Sequence, residues 1–314
     1  MTTDSQSAVA AVAGAGVLPP ARRTVGPTGR RPPRRFASWL GLTPFALYVL
    51  LFLAIPTVLA VLSGLFDGQG HFTTANLSAL FAPDILKAFG SSFWVSAVTA
   101  IVGASVGAIV CFALLGMNPQ GPVRSAIDSA ASVLAQFGGV MLAFAFIATI
   151  GIQGFVTQLL LNSFGINIFA NGVWLYQVPG LLLPYIYFQV PLMIITFMPA
   201  MEGLKPQWAE ANATLGGTRL TYWLRIAGPV LAPSFLGSLL LLFANAFSSY
   251  ATAAALISQG AQIVPLQIRT ALFSETVLGR SNMAGALAFG MIVVMVILMW
   301  GYSALQSRTT RWQR

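Results

Sequence analysis

Long apolar runs separated by short polar segments set the pattern of this chain. Six runs are predominantly apolar: Trp39–Leu65, Ser92–Met117, Asp128–Gly151, Gln177–Met201, Val230–Ile257 and Met283–Leu305. A bilayer core of about 30 Å is crossed by about 20 residues of helix, so each run predicts one spanning helix. Helix is also the state that satisfies every backbone polar group within a single segment there. The third run is the least regular, because Gln136 and the Gly138–Gly139 pair interrupt it. Residues 151–176 carry no charge and form an apolar face too short to span, which predicts an interfacial or re-entrant helix. No internal repeat is visible. The expected fold is an all-α polytopic membrane protein with six transmembrane helices, occupying residues 38–307.

Composition narrows the class further. Of 314 residues, 57% are hydrophobic and 7% charged, whereas soluble domains carry about 25% charged residues. Mean hydropathy is +0.80. A soluble enzyme and a disordered chain are both excluded. The net charge is +9, which in a soluble protein would suggest nucleic acid. Here its distribution is informative instead. If the N-terminus lies inside, thirteen of the 16 Lys and Arg fall on the inner side, and only Lys87, Arg269 and Arg280 fall outside. That bias places both termini in the cytoplasm. Nucleic acid is not an expected partner; the lipid bilayer is. Residues 1–37, rich in Ala, Gly, Pro, Thr and Arg, are expected to form a disordered basic tail lying on anionic lipid. A signal peptide is disfavoured by the long basic region, the long apolar run and the lack of a small-x-small cleavage site. Residues 308–314 form a second short basic tail.

Catalytic chemistry finds little support. Gly103-Ala-Ser-Val-Gly107 has the form of a nucleophile elbow, but that motif needs a strand-to-helix turn and a histidine partner for Ser105. The same residues fit small-xxx-small packing within a membrane helix. The single histidine, His71, falls in an outer loop, and the single cysteine, Cys111, in an apolar run where a buried thiol is expected. No metal-ligand spacing or phosphate-cradling loop is present, so no cofactor is expected. No ionisable residue lies deep in a span, with Asp128 at a border, which argues against a proton-driven transporter.

Neutral polar groups do occur at depth. Tyr185, Tyr187 and Gln189 lie between Pro184 and Pro191 in the fourth span, and Asn245, Ser248, Ser249, Tyr250 and Thr252 cluster in the fifth. In a continuous helix Asn245, Ser248, Ser249 and Thr252 would share one face. They are candidates for a translocation path, with interhelical hydrogen bonding as the alternative. The tyrosines could offer cation–π contacts to a cationic solute.

The longest inner loop, 202–229, predicts two short helices across a glycine corner. Pro206 starts the first, with Glu210 following; Gly216 and Gly217 stop it, and Thr218 caps the second. On physics alone, a docking elbow and a simple connector are about equally supported.

This loop resembles the signature of permease subunits of binding-protein-dependent ABC importers: Glu-Ala-Ala, three residues, Gly, nine residues, Ile, one residue, Leu-Pro. The match falls at Glu210, Ala211, Gly216, Ile226 and Pro229 with every interval kept, and departs at Asn212 and Gly228 on what read as packing positions. The resemblance implies a type I importer permease of a bacterial inner membrane, one half of a pore. Its short helix would couple to a cytoplasmic ATPase subunit, which carries the ATP hydrolysis. Implied partners are ABC ATPase subunits, a second permease (a copy or a different chain) and an extracytoplasmic solute-binding protein. Gly154-Phe155, Val190-Pro191 and Val264-Pro-Leu-Gln-Ile-Arg make it most similar to the spermidine/putrescine branch, with iron, thiamine and aminoalkylphosphonate relatives. The absence of carboxylates in the path tells against a polyamine. An ATP-independent secondary transporter or channel is the alternative function.

Overall fold

The computed structural model describes residues 35–257, 263–273 and 281–310, with side chains over 42–257, 263–273 and 282–304. Most of the expected basic tail (1–34), residues 258–262 and 274–280, and the last four residues lie outside the described residues. The chain divides into two units, one ending at Ala54 and one beginning at Ile55. In the first, α1 (Arg35–Val49) runs into a π-helical turn at Leu50–Ala54, with the Tyr48 and Phe52 rings 5.4 Å apart.

The second unit begins with α2 (Ile55–Ser63) and continues through α3 (Ala75–Ala79) and α4 (Pro83–Leu115). It proceeds through α5 (Pro122–Gln136), α6 (Gly139–Ile150), α7 (Phe155–Phe164) and α8 (Leu182–Glu202). The elbow follows as α9 (Pro206–Thr214) and α10 (Arg219–Tyr222), then α11 (Gly228–Phe247), α12 (Ala251–Leu256), α13 (Val264–Phe273) and α14 (Ser281–Thr310). The described residues contain six stretches long and apolar enough to cross a membrane: Leu42–Ser63, Pro83–Leu115, Gly139–Phe164, Val178–Glu202, Arg219–Phe247 and Asn282–Ala304. The chain is a multi-pass, helical membrane protein.

Four expected spans change their bounds. The second helix starts nine residues early because Pro83 and Asp84 form a good first turn, and its 33 residues extend about 50 Å, well past the hydrocarbon core. The third is broken at Phe137–Gly138, since Gly139 takes φ +72, outside the right-handed helical region. The fifth ends at Phe247 and resumes as α12. The break follows Ser248, whose hydroxyl turns back to the Ala244 carbonyl at 2.9 Å. The last helix continues to Thr310, beyond the expected end near 305. The expected outer helix is present as α7, closed by Gly165 at φ +68.

Close packing of α4 on α8 explains the Gly103/Gly107 pair. A Cβ at Gly103 would lie 2.7 Å from Gln189 Cβ, and one at Gly107 2.5 Å from Met193 Cβ. These glycines let two backbones approach, as small-residue contacts do in membranes. Ser105 points outward and hydrogen-bonds the Ile101 carbonyl at 2.7 Å. A similar crossing joins α2 to α14, where Gly64 lies against the Ala286 backbone and Gly285 against the Ala60 carbonyl. The main core lies where α4, α5, α8 and α11 meet, and includes Cys111, Leu114, Ala131, Met193, Met198, Met201, Leu231 and Phe243. Cys111 is fully buried. A second core joins α6, α12 and the start of α8 through Leu142, Ala143, Tyr185, Ala253 and Leu256.

Candidate functional site: the helical elbow and the polar positions of the spans

Pro206 occupies the first turn of α9, where its missing N–H costs no hydrogen bond. At the other end Gly216 takes φ +76. The Gly216 N–H donates to the Ala213 carbonyl at 3.0 Å, and the Gly217 N–H to the Asn212 carbonyl at 2.8 Å. These two bonds form a Schellman ending, which satisfies carbonyls a helix terminus otherwise leaves open. Thr218 then caps α10: its Oγ1 accepts from the Thr221 N–H at 3.2 Å.

The two departures from the signature have local tasks. The Asn212 side chain donates across the corner to the Thr218 carbonyl at 3.1 Å, tying the two arms together. It fills the space a Cβ at Gly217 would need. At Gly228 a Cβ would sit 2.7 Å from the Trp223 carbonyl, which the π-helical turn Trp223–Ala227 brings inward. Asn212 therefore corrects the expectation of a packing position, and Gly228 is demanded by the turn.

Glu210 and Ala211 lie exposed on α9, no residue of which is buried. Leu215 is 88% exposed, and Leu220 and Leu224 are also largely uncovered. Ile226, half-buried in the π turn, and Pro229, in the first turn of α11, fix the second arm. Trp223 anchors that arm to α4 with its ring 5.0 Å from that of Phe112 at 68°. The elbow is thus held by its own corner bonds and tethered at its base, and its exposed residues mix the leucines with Gln207, Glu210, Arg219 and Arg225. Those leucines are not covered by any of the described residues; Leu220 and Leu224 belong to the apolar stretch Arg219–Phe247, while Leu215 lies outside it at the corner.

The polar positions of the spans separate into two sets. Tyr185, Gln189 and Thr252 are buried. Tyr185 Oη donates to the Ser249 carbonyl at 2.9 Å, and Gln189 Nε2 donates to Thr99 Oγ1 at 2.9 Å. Gln189 Oε1 and Thr252 Oγ1 have no hydrogen-bond partner among the described residues. Tyr185 and Gln189 thus tie α8 to its neighbours, while Thr252 is buried without such a bond. Tyr187, Asn245, Ser248 and Tyr250 are exposed, with Ser249 half-buried; the Tyr187 ring meets Phe146 edge-on at 6.1 Å. The break at 248–250 removes the expected single face of Asn245, Ser248, Ser249 and Thr252, because the helical register does not continue across it.

In the sequence Arg124 enters only through the charge bias, and Glu202 only as the first residue of the inner loop and within Met201-Glu-Gly-Leu, a stretch that resembles the spermidine/putrescine branch. The structure joins them at the root of the elbow. Their signal in the sequence was an arginine and an acid each flanking a span, which spacing alone does not pair.

No protein-family profile matches the chain. It is 24% identical over 210 residues to the ferric transport system permease protein FbpB of Actinobacillus pleuropneumoniae, covering 65% of this chain and 29% of that one. It is 22% identical over 232 residues to the sulfate transport system permease protein CysT of Salmonella typhimurium, covering 73% and 79%. A spermidine/putrescine transport system permease protein PotC homolog of Mycoplasma genitalium shares 30% over 115 residues, 37% and 38% of the two chains. The chain spans less than a third of the length of the ferric permeases it matches. In fold it resembles a chain of a bacterial ABC transporter that imports the acidic polysaccharide alginate, with a TM-score of 0.71 at 16% identity over 88% of this chain and 96% of that one. The inward-facing MetNI methionine transporter gives 0.51 at 13% identity over 72% and 95%. In sequence and in fold the chain is similar to ABC importer permeases, and the spermidine/putrescine branch is one of several it resembles.

Proposed function

We propose that this chain is the membrane-spanning permease subunit of an ATP-driven importer in a bacterial inner membrane. One observation carries the proposal: an exposed helical elbow with the importer signature joins α8 to α11 in a chain with six stretches apolar enough to cross a membrane. Glu210, Ala211 and the leucines around Gly216 would contact a cytoplasmic ATPase, and Trp223, Ile226 and Pro229 would pass its movement into α11. ATP binding and hydrolysis belong to that partner. A second permease completes the pore, and a solute-binding protein delivers cargo at the opposite end. Both termini and the elbow lie in the cytoplasm, as the charge distribution favours.

The cargo is a small polar or ionic solute. Ferric, sulfate and spermidine/putrescine permeases are all among its relatives. The exposed path candidates Tyr187, Asn245, Ser248 and Tyr250 are neutral, so they offer hydrogen bonds and aromatic faces without a fixed charge. Uptake of radiolabelled sulfate, ferric iron and spermidine into vesicles, with and without the co-expressed ATPase, tests the assignment. Uptake of one of these that needs the ATPase and ATP is expected; uptake by the permease alone would overturn it.

A further inference from the structure

Arg124 is the residue whose placement the elbow does not itself explain. Its side chain is 5% exposed although it carries a guanidinium group. Nε donates to Asp128 Oδ2 at 3.2 Å, Nη1 donates to the Leu114 carbonyl at 3.1 Å, and Nη2 donates to Glu202 Oε1. The three acceptors belong to three elements. Leu114 is in the last turn of α4, Asp128 in the second turn of α5, and Glu202 is the last residue of α8, just before the elbow. Asp128 and Glu202 are half-exposed, so each would be solvated without the arginine.

Stability alone does not call for this arrangement. The helices already meet through Leu114, Ala131, Met198 and Met201, and apolar side chains replace buried ion pairs at little or no loss of stability. What the planar guanidinium adds is direction: its donors hold three acceptors at fixed angles, which greasy contacts do not. Between Glu202 and Pro206 lie only Gly203, Leu204 and Lys205. Without a fixed root, movement of α9 could be absorbed in that linker.

We propose that Arg124 is a positioning residue that clamps the root of the elbow to the ends of α4 and α5, so that displacement of the elbow is delivered to the spanning helices. This rests on the importer function proposed above. Because α4 is one continuous helix from Pro83, displacement at Leu114 reaches its far end at Asp84.

The test uses the permease–ATPase complex in nanodiscs, with Asp84→Cys as a reporter. Asp84 is exposed and the native Cys111 is buried, so an impermeant maleimide reads the far end of α4. The wild-type background should show labelling that changes with ATP. Glu202→Gln, which removes the charge opposite Arg124, should keep ATPase binding and hydrolysis while reducing that change about tenfold, or about 1.4 kcal/mol. Arg124→Met combined with Glu202→Met packs the site with apolar groups and should keep thermal stability, yet remain equally unresponsive. Wild-type labelling changes in Glu202→Gln, or their recovery in the double methionine variant, would show that the clamp only fills space and would overturn the proposal. A wild-type complex that binds no ATPase would instead defeat the importer assignment, and the clamp with it.

Discussion

Replacing Gly216 isolates the conformational demand of the elbow from every other contact. A Cβ at this position meets no atom within 4 Å, so a side chain has room. The cost comes from φ +76 alone. For an L-residue the left-handed region costs about 1–2 kcal/mol, a factor of about 5–30 in the population of the formed corner. Because α9 has no buried residue, this loss should leave the melting of the helical body unchanged. It should appear as weaker affinity for the ATPase, read by interferometry on nanodisc-embedded permease. Gly216→Ala should lose about 5–30-fold in affinity. Gly216→Asn should lose less, since asparagine tolerates the left-handed region better than other side chains. Hydrogen exchange at the Gly217 amide, which donates to the Asn212 carbonyl, should accelerate in the same order. Equal affinities for wild type and Gly216→Ala, or equal losses for Ala and Asn, would refute the reasoning.

Further predictions concern packing, docking and the loop at 67–71. Gly107→Leu forces side-chain atoms onto Met193 and should destabilise the α4–α8 contact by at least about 1–3 kcal/mol, seen as a lower melting temperature and reduced yield of folded protein. Leu215→Ser with Leu220→Ser and Leu224→Ser should weaken ATPase binding without lowering the melting temperature, because these side chains are exposed. Asp67 accepts from the backbone N–H groups of His71 and Gln69 at 2.8 Å each, and chiefly the His71 bond holds its carboxyl below the usual range. A depressed carboxyl stabilises the loop above the ordinary pKa of about 3.9 and loses that effect as pH falls through its folded value. Amide exchange at Gln69 and His71 should therefore speed up in acid once intrinsic rates are subtracted, and Asp67→Asn should flatten the change.

The spans and the elbow were legible because their causes are local. Twenty apolar residues cross a bilayer in only one way, and Pro206, the Gly216–Gly217 pair and Thr218 are each a start, stop or cap that acts through neighbours a few residues away. The break at 137–138 was marked by Gln136 and the Gly138–Gly139 pair, whereas the break at 248–250 was less legible, since Ser248 and Ser249 read equally well as part of one polar helix face. Asn212 read as a mismatch because its partner, the Thr218 carbonyl, exists only once the corner has formed. The candidate path was the least legible part. Tyr185 and Tyr187 are two residues apart, yet one is buried against Ser249 and the other exposed, a distinction set by which helices pack on α8. The Arg124–Glu202 pair spans 78 positions, and nothing in either residue's neighbourhood announces the other.

The central claim is that this chain moves solute only when an ATPase grips its elbow. Proteoliposomes containing the permease and its solute-binding protein, with and without the ATPase, test it directly with radiolabelled sulfate, ferric iron and spermidine. The expected result is accumulation of one of these only when the ATPase and ATP are present, abolished by the triple leucine substitution in the elbow. Accumulation by the permease without the ATPase, or accumulation indifferent to the elbow, would contradict it.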